Sequence, residues 1–290
     1  MSFTEKSYFG FHDNGQHEIY YNDWGPKDAN PVVCVHGLTG NGYDFDFIAE
    51  DLIKHGHRLI AVDLPGRGRS DFHADPLLYN YDQYLRDLHE LLAHLDLQAP
   101  GSVDWLGVSL GGLLGLRLAA LEHSPIKRLI INDVGPEVPQ AALDFIYQVI
   151  SQDYAFDTVA DLEQRMRATR GLTWGPVTDE QWRHMAEHNA RARDDGRITY
   201  AYDPQIARVF ESAPVGDVDL WESWGAIACP VLVIQGADSV LLTDDILGRM
   251  EEVREFDLAV FEGCGHVPSL MAPEQIKVVR AWLSPESEDA

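Results

Sequence analysis

The 290-residue sequence predicts an α/β fold, in which helices cover both faces of a mostly parallel sheet and a helical cap is inserted after one strand. Three observations predict it. Runs of branched apolar residues recur along the chain, and each is followed by a loop and a helix-like segment. A serine stands in a glycine-rich turn between one such run and the helix after it. A long charged segment at 136–224 interrupts the alternation.

The predicted strands begin with an antiparallel pair. Residues 8–24 alternate between apolar and polar side chains well enough to form a hairpin at the sheet edge. A helix with one apolar face is predicted from about Tyr84 to Leu95. The parallel strands are predicted at 31–35, 58–62, 103–106, 127–133, 231–236 and 258–263.

The segment 136–224, which interrupts the alternation of strands and helices, sets the predicted domain boundaries. Residues 1–135 and 225–283 are predicted to form the core, 136–224 the cap, and 284–290 a frayed acidic tail. Such a cap covers the strand ends, where open α/β sheets bind ligands. The tryptophans in this region are more typical of side chains that pack the cap than of a cofactor site. Trp174 and Tyr147 are the candidates for lining a substrate cleft.

Composition excludes several classes of partner. The formal charge of −25 would repel nucleic acid and anionic membrane surfaces. The sequence does not open with a signal peptide, in which a charged region precedes an apolar one, and no apolar run is long enough to span a bilayer. We therefore expect a soluble cytoplasmic protein. The three cysteines are widely spaced and are expected to be buried thiols.

The serine turn points to nucleophilic catalysis. Ser109 lies in Gly107-Val108-Ser109-Leu110-Gly111, directly after a predicted strand and before a predicted helix. A serine hydroxyl attacks well only when a base takes its proton and the backbone holds it exposed. A sharp strand-to-helix turn strains the serine backbone and needs small neighbours, which the two glycines supply. Ser109 is therefore the candidate nucleophile.

Two further loops supply the groups that such a serine needs. His266, in the glycine-rich loop after the last predicted strand, can act as general base and then as general acid. An acyl-transfer oxyanion needs two N–H donors. The amide of Leu110 follows the nucleophile, and the amide of Leu38 lies in the loop that begins at His36.

Taken together, these segments resemble the α/β-hydrolase superfamily over nearly the whole chain, and in particular its small bacterial esterases. The His-Gly loop at His36, the Asp-x-x-Gly-x-Gly-x-Ser segment at 63–70, the Ser109 turn and the Gly-x-Gly-His end stand in the family's order. The resemblance implies an eight-stranded sheet, cofactor-free hydrolysis, and a mainly architectural role for the 63–70 segment.

Two residues are candidates for the acidic member of the expected triad. The family usually places its acid three residues after the glycine that ends the penultimate strand, and that position is Ser239. Asp238 is the nearest carboxylate there. A minority branch of the family carries the acid at the end of the strand after the serine helix, where Asp133 lies. We favour Asp133 and keep Asp238 as the alternative.

One metal-like motif is set aside. His184-Met185-Ala186-Glu187-His188 matches a zinc-protease pattern, but it lies amid exposed charge in the predicted cap. There is no phosphate-binding loop and no dinucleotide fingerprint after the first parallel strand. We therefore expect neither a metal nor a cofactor.

The predicted function is that of a serine carboxylesterase acting on a small or medium carboxylic ester. Lactonases, carbon–carbon bond hydrolases and thioesterases with the same triad are alternatives, because selectivity depends on the cap rather than on the fold. An alternative of a different class is a small-molecule receptor that keeps the triad but turns over slowly. The sequence leaves the oligomeric state open.

Overall fold

The structure is a computed structural model that describes residues 3–13, 15–212 and 218–284. The predicted acidic tail at 284–290 lies outside the described residues except for its first residue.

An eight-stranded, mostly parallel sheet forms the centre of the molecule. The described strands are β1 (Thr4–His12), β2 (Gly15–Trp24), β3 (Asn30–Val35), β4 (His57–Val62), β5 (Val103–Val108), β6 (Ile126–Asn132), β7 (Glu137–Val138), β8 (Ala190–Ala192), β9 (Ile198–Tyr200), β10 (Val218–Asp219), β11 (Val231–Gly236) and β12 (Asp257–Phe261). The order in the main sheet is β1-β2-β4-β3-β5-β6-β11-β12. β1 and β2 form the predicted antiparallel hairpin at one edge. The other six strands, β3, β4, β5, β6, β11 and β12, run parallel to one another.

Helices cover both faces of this sheet, as the sequence predicts. The described helices are α1 (Asp46–Leu52), α2 (Tyr81–His94), α3 (Leu110–Ala119), α4 (Gln140–Ile150), α5 (Val159–Arg170), α6 (Asp179–His188), α7 (Arg208–Ser212), α8 (Trp221–Ala226), α9 (Asp244–Val253) and α10 (Pro273–Leu283). Alternate residues of the central strands point to opposite faces. Val33 packs into the core that contains α2 and α3, whereas Val32 packs into the core that contains α1 and α10.

Side-chain caps explain where several helices begin. Asn80 accepts a hydrogen bond from the Gln83 amide and starts α2. Thr158 and Thr178 form reciprocal capping boxes at the first turns of α5 and α6. Such caps satisfy amides that have no partner inside the helix.

The inserted segment differs from an all-helical cap. Within its described residues it contains α4 to α7 and also two short antiparallel pairs, β7 with β10 and β8 with β9. β7 and β10 join the two ends of the insertion, since Val138 lies opposite Val218. α8 crosses the expected boundary at 224. Strands of two or three residues carry no readable periodicity, so the sequence does not predict them.

Membrane and thiol expectations can also be compared with the structure. In the described part of the chain, no helix has the length and apolar character needed to cross a bilayer. The three cysteines are unpaired; Cys34 and Cys264 are buried, whereas Cys229 is partly exposed.

Candidate active site

Ser109 lies in a strained turn between β5 and α3. Its φ of 49° and ψ of −111° are rare for a residue with a side chain, and they expose the hydroxyl at the end of the strand. A side chain at Gly107 would overlap the Gly111 carbonyl, and one at Gly111 would overlap the Val35 carbonyl. Both glycines are therefore required by close backbone contact.

A hydrogen-bonded chain connects Ser109 to a buried carboxylate. His266 Nε2 lies 3.1 Å from Ser109 Oγ, and His266 Nδ1 lies 2.8 Å from Asp133 Oδ2. The carboxylate can only accept at Nδ1, so the proton of a neutral imidazole sits there. Nε2 is then free to take the proton of the serine.

Asp133 is held by several donors. It is fully buried, with a left-handed φ of 60° that aspartate tolerates. The Gly236 amide donates to Oδ1 at 2.8 Å, and the Ser239 hydroxyl donates to Oδ2 at 2.6 Å. These bonds compensate for burying the charge.

The two candidate acids differ in position. Asp238 has an exposed side chain, and its backbone amide is bonded to the Cys264 carbonyl. Ser239, which occupies the family's usual acid position, instead donates to Asp133. Of the two carboxylates, the structure brings Asp133 and not Asp238 to His266.

The amides of Leu38 and Leu110 are the candidate oxyanion donors. Both residues line the cavity that contains Ser109, and neither amide has an acceptor among the hydrogen bonds of the described residues. A Cβ at Gly37 would lie 3.6 Å from the Ser109 Cβ, which shows how closely this loop approaches the serine. The arrangement leaves two donors available beside the serine hydroxyl.

His36 fixes the backbone of the Leu38 loop. Its Nε2 accepts from the Leu64 amide at 3.0 Å, and its Nδ1 lies 2.6 Å from the Gly37 carbonyl. Burial, aided by the nearby Arg67 charge, lowers the pKa of His36 to about 3. The ring is therefore neutral at pH 7, with its proton on Nδ1.

Arg67 is a residue of this site that the sequence analysis missed. Its guanidinium is fully buried; Nε donates to the Leu38 carbonyl at 2.8 Å and Nη1 to the Pro65 carbonyl at 2.7 Å. Nη1 also donates to the Tyr84 hydroxyl. Arg67 thus holds the far side of the Leu38 peptide, a role within the 63–70 segment that only the folded structure shows.

A cavity of about 160 Å³ opens in front of Ser109 between core and cap. Its walls are almost entirely aliphatic and aromatic, as in many small-molecule sites. Its lining includes Leu113, Val134 and Leu241 from the core, Tyr79, Tyr81 and Tyr84 at and before the start of α2, and Val138, Leu143, Ile146, Ile206, Val209, Phe210 and Val218 from the cap.

The expectation that Trp174 and Tyr147 line this cleft needs correction. The Tyr147 hydroxyl donates to Glu211 at 2.9 Å, while its neighbour Ile146 lines the cavity. Trp174 stacks on Trp182 with ring centres 5.3 Å apart and borders a separate cavity of about 50 Å³. Neither side chain is among those lining the cavity in front of Ser109.

The Trp174 segment contributes to the site through its backbone. The Thr173 carbonyl accepts from the Gly265 amide at 2.9 Å, and the Trp174 carbonyl accepts from the Ser269 amide at 3.1 Å. These two bonds fasten the cap to the loop that carries His266.

The histidines of the zinc-like motif are already engaged. His184 Nε2 lies 3.2 Å from Asp46 Oδ2, and His188 Nδ1 lies 2.9 Å from the His184 carbonyl. They connect α6 to α1 and do not meet Ser109.

Comparison with known proteins places this geometry in context. The model of the Alpha/beta hydrolase family matches residues 32–277. The chain is 35% identical to the 3-hydroxybutyrate-oligomer hydrolase of Cupriavidus necator, over 93% of this chain and 94% of that protein. It is 29% identical to the esterase Rv0045c of Mycobacterium tuberculosis, over 90% of this chain and 84% of that protein.

Solved structures resemble the whole chain. A structure from Rickettsia typhi superposes with a TM-score of 0.90 at 31% identity and covers 99% of this chain and 100% of that one. An alpha/beta hydrolase from Novosphingobium aromaticivorans gives a TM-score of 0.83 at 32% identity, covering 97% and 98%.

Proposed function

The chain belongs to the alpha/beta hydrolase family and is a carboxylic ester hydrolase, and we propose that it cleaves small or medium esters through an acyl-serine intermediate. The observation that carries the proposal is the bonded chain from Ser109 through His266 to Asp133, which opens onto an apolar cavity.

Acylation uses each of these groups in turn. Ser109 Oγ attacks the ester carbonyl carbon while its proton passes to His266 Nε2. The carbonyl oxygen becomes an oxyanion that accepts from the Leu38 and Leu110 amides. Asp133 stabilises the imidazolium. The tetrahedral intermediate then expels the alcohol, which takes the proton from His266.

Deacylation repeats the sequence with water. A water molecule gives a proton to His266 and attacks the acyl carbon, and the second tetrahedral intermediate expels Ser109 as the leaving group. The carboxylic acid departs and Ser109 recovers its proton. No cofactor is needed for either half of this reaction.

The cavity supports an apolar acyl or alcohol group on the substrate. Burying a methylene against its aliphatic walls contributes about 0.8 kcal/mol, so affinity for longer acyl chains should rise until the space is filled. The alternatives are hydrolysis of lactones, thioesters or carbon–carbon bonds with the same triad, and slow turnover by a small-molecule receptor.

The test combines labelling with a substrate panel. A fluorophosphonate should modify Ser109 stoichiometrically, as read by peptide mass spectrometry, and Ser109→Ala should abolish both labelling and turnover of aryl esters from acetate to octanoate. Ser7→Ala, which removes a hydroxyl on the edge strand β1 that donates to Glu18, serves as the matched deletion and should keep its activity. Near-full esterase activity in Ser109→Ala would overturn the proposal.

The same panel distinguishes the alternatives. A preference above about a hundredfold for a lactone or thioester, roughly 2.7 kcal/mol of barrier, would reassign the substrate class. Tight ligand binding without a burst on activated esters would identify a receptor.

A second candidate substrate is an oligomer of 3-hydroxybutyrate. It is favoured by the 35% identity, over nearly the full length of both chains, to the Cupriavidus necator hydrolase of such oligomers. Dimer and trimer esters of 3-hydroxybutyrate belong in the panel. Release of the monomer at a rate above that of butyrate esters would support this assignment.

A further inference from the structure

A cluster of three histidines lies away from Ser109, at the turn end of the β1–β2 hairpin. His12, His17 and His73 each offer one ring nitrogen, and these three nitrogens lie within 4.8 Å of one another. The ring centres of His17 and His73 are 4.6 Å apart, and that of His12 is within 6 Å of both. We call these residues the three-histidine cluster.

The strand register explains why the rings meet. His17 lies opposite Gly10 and His12 lies opposite Gly15, so all four residues point to the same face of the hairpin. Because both partners are glycines, this face has room for imidazoles. A Cβ at Gly10 would come within 2.7 Å of His17 Nε2 and 2.5 Å of Asp87 Oδ1.

Two of the three rings are buried with unsatisfied nitrogens. His17 and His73 are each 4% exposed. Among the described residues, His17 Nδ1 and His73 Nε2 have no hydrogen-bond partner, and the polar group beside His17 Nε2 is the Asp87 carboxylate. A buried polar atom without a partner destabilises the folded state, so such atoms call for an explanation.

A carboxylate lies behind the cluster. Asp87 Oδ1 is 3.1 Å from His17 Nε2, and Gln83 donates to the same oxygen at 2.8 Å. Histidines that bind metals commonly have a carboxylate on their other ring nitrogen, which orients the ring and strengthens it as a ligand.

We propose that the three-histidine cluster binds one divalent transition-metal ion, with Zn²⁺ the preferred ion. The Asp87 carboxylate would orient the His17 ring. Imidazole nitrogens suit Zn²⁺, Cu²⁺ and Ni²⁺, whereas Mg²⁺ and Ca²⁺ prefer oxygen ligands. Three nitrogens leave a fourth position for water. Nitrogens bound to tetrahedral zinc lie about 3.4 Å apart, whereas the three ring nitrogens here lie within 4.8 Å of one another. Rotation of the His12 ring, which is partly exposed at the end of β1, would bring its nitrogen to the shorter spacing.

The ion would act on structure rather than on ester chemistry. It would join the hairpin to the segment after β4, where the His73 amide donates to the Tyr79 hydroxyl at 2.9 Å. Tyr79 in turn donates to Asp203 of the cap at 2.7 Å and lines the cavity in front of Ser109. The cluster is thus linked to one wall of the cavity while Ser109, His266 and Asp133 remain separate from it.

The test is zinc binding by the chelator-treated, dialysed full chain. We expect one Zn²⁺ per chain by elemental analysis and a saturable calorimetric isotherm. Co²⁺ should give the visible absorption of a tetrahedral or five-coordinate nitrogen site. At a hundredfold excess of Zn²⁺ over its Kd, Tm should rise by about 5 °C.

Variants assign the binding to its residues. His17→Gln with His73→Gln should weaken zinc binding at least about a hundredfold, and His12→Gln alone, at the partly exposed position, at least about tenfold. His184→Gln with His188→Gln is the matched double deletion and should bind zinc as the unmodified chain does. If the first double variant does not fold, His12→Gln alone decides.

Three results would overturn the proposal: no saturable zinc binding by the unmodified chain, unchanged binding in His12→Gln, or loss of binding in the His184 and His188 variant. Labelling of Ser109 by a fluorophosphonate is independent of all three, so failure of the metal site and failure of the proposed esterase are distinguishable.

Discussion

Asp133 and Ser239 exchange roles relative to the common family arrangement. The carboxylate comes from the end of β6, and the residue at the usual acid position supplies a hydroxyl that donates to it at 2.6 Å. Ser239 Oγ also accepts from the Leu241 and Leu242 amides. Ser239 is therefore a positioning residue that connects the loop after β11 to the acid.

Removing this hydroxyl should slow turnover without weakening substrate binding. We predict that Ser239→Ala lowers kcat about tenfold, roughly 1.4 kcal/mol, and leaves KM nearly unchanged.

The conservative variant separates positioning from packing. Ser239→Thr keeps the donor and should restore most of kcat. Equal losses of kcat in Ser239→Ala and Ser239→Thr, or a rise in KM that matches the fall in kcat, would contradict a role through Asp133.

His36 gives a prediction about pH and stability. Burial lowers its pKa to about 3, below the unfolded value near 6.5, so the unfolded chain binds an extra proton between these values. Stability from this group is complete above pH 6.5 and is lost as pH falls, by about 1.4 kcal/mol per pH unit. In His36→Gln, the slope of unfolding free energy against pH should decrease by that amount between pH 4 and 6.

The measurement is urea unfolding at half-unit intervals of pH. His55→Gln is the control, since its ring is exposed, and its slope should equal that of the unmodified chain. An identical slope in all three proteins would mean that His36 is not held neutral in the folded state.

The cap contributes side chains that line the cavity and hydrogen bonds that hold the His266 loop in place. α4 turns Leu143 and Ile146 toward the cavity, and the segment before α6 bonds to the loop of His266. The insertion is recognisable from the sequence, but Trp174 and Tyr147 were expected at the cleft, because aromatic character does not tell which way a side chain faces. Leu143 and Ile146 could be found only once the orientation of α4 was known.

Filling the cavity from α4 should change acyl selectivity. Leu143 is buried at the cavity wall, so Leu143→Trp places an indole in the space that a longer acyl chain needs. We predict that the octanoate-to-acetate ratio of kcat/KM falls at least about tenfold, or 1.4 kcal/mol. Tyr147→Phe, one helical turn on, removes only the bond to Glu211 and should leave the ratio unchanged.

A uniform loss across the ester series in Leu143→Trp would indicate disturbed packing and would count against this cavity as the acyl site. An altered ratio in Tyr147→Phe would return that residue to the cleft.

Across the whole molecule, local pattern predicted the sheet well. The parallel strands lie within one or two residues of their expected ends, because runs such as Val231–Gly236 are apolar, branched and bounded by turn residues. The Ser109 turn and the His266 loop were also recognisable, since glycines mark each one.

Features that depend on distant contacts were not predictable. Arg67 acts on Leu38 across the fold, and the three histidines are 5 and 56 residues apart in sequence, with no ligand motif. The pairing of β7 with β10 spans the whole insertion. Such contacts leave no local periodicity for sequence analysis to detect.

The most direct test of the account compares Asp133→Asn with Asp238→Asn. An ionised carboxylate at His266 fixes the tautomer that accepts the serine proton and stabilises the imidazolium, and the amide loses both effects. We predict that Asp133→Asn lowers kcat at least about a hundredfold, near 2.7 kcal/mol, with little change in KM, whereas Asp238→Asn costs less than about tenfold. The reverse ranking would contradict the account and return the acid to the usual family position; equal, modest losses would mean that the two carboxylates share the role.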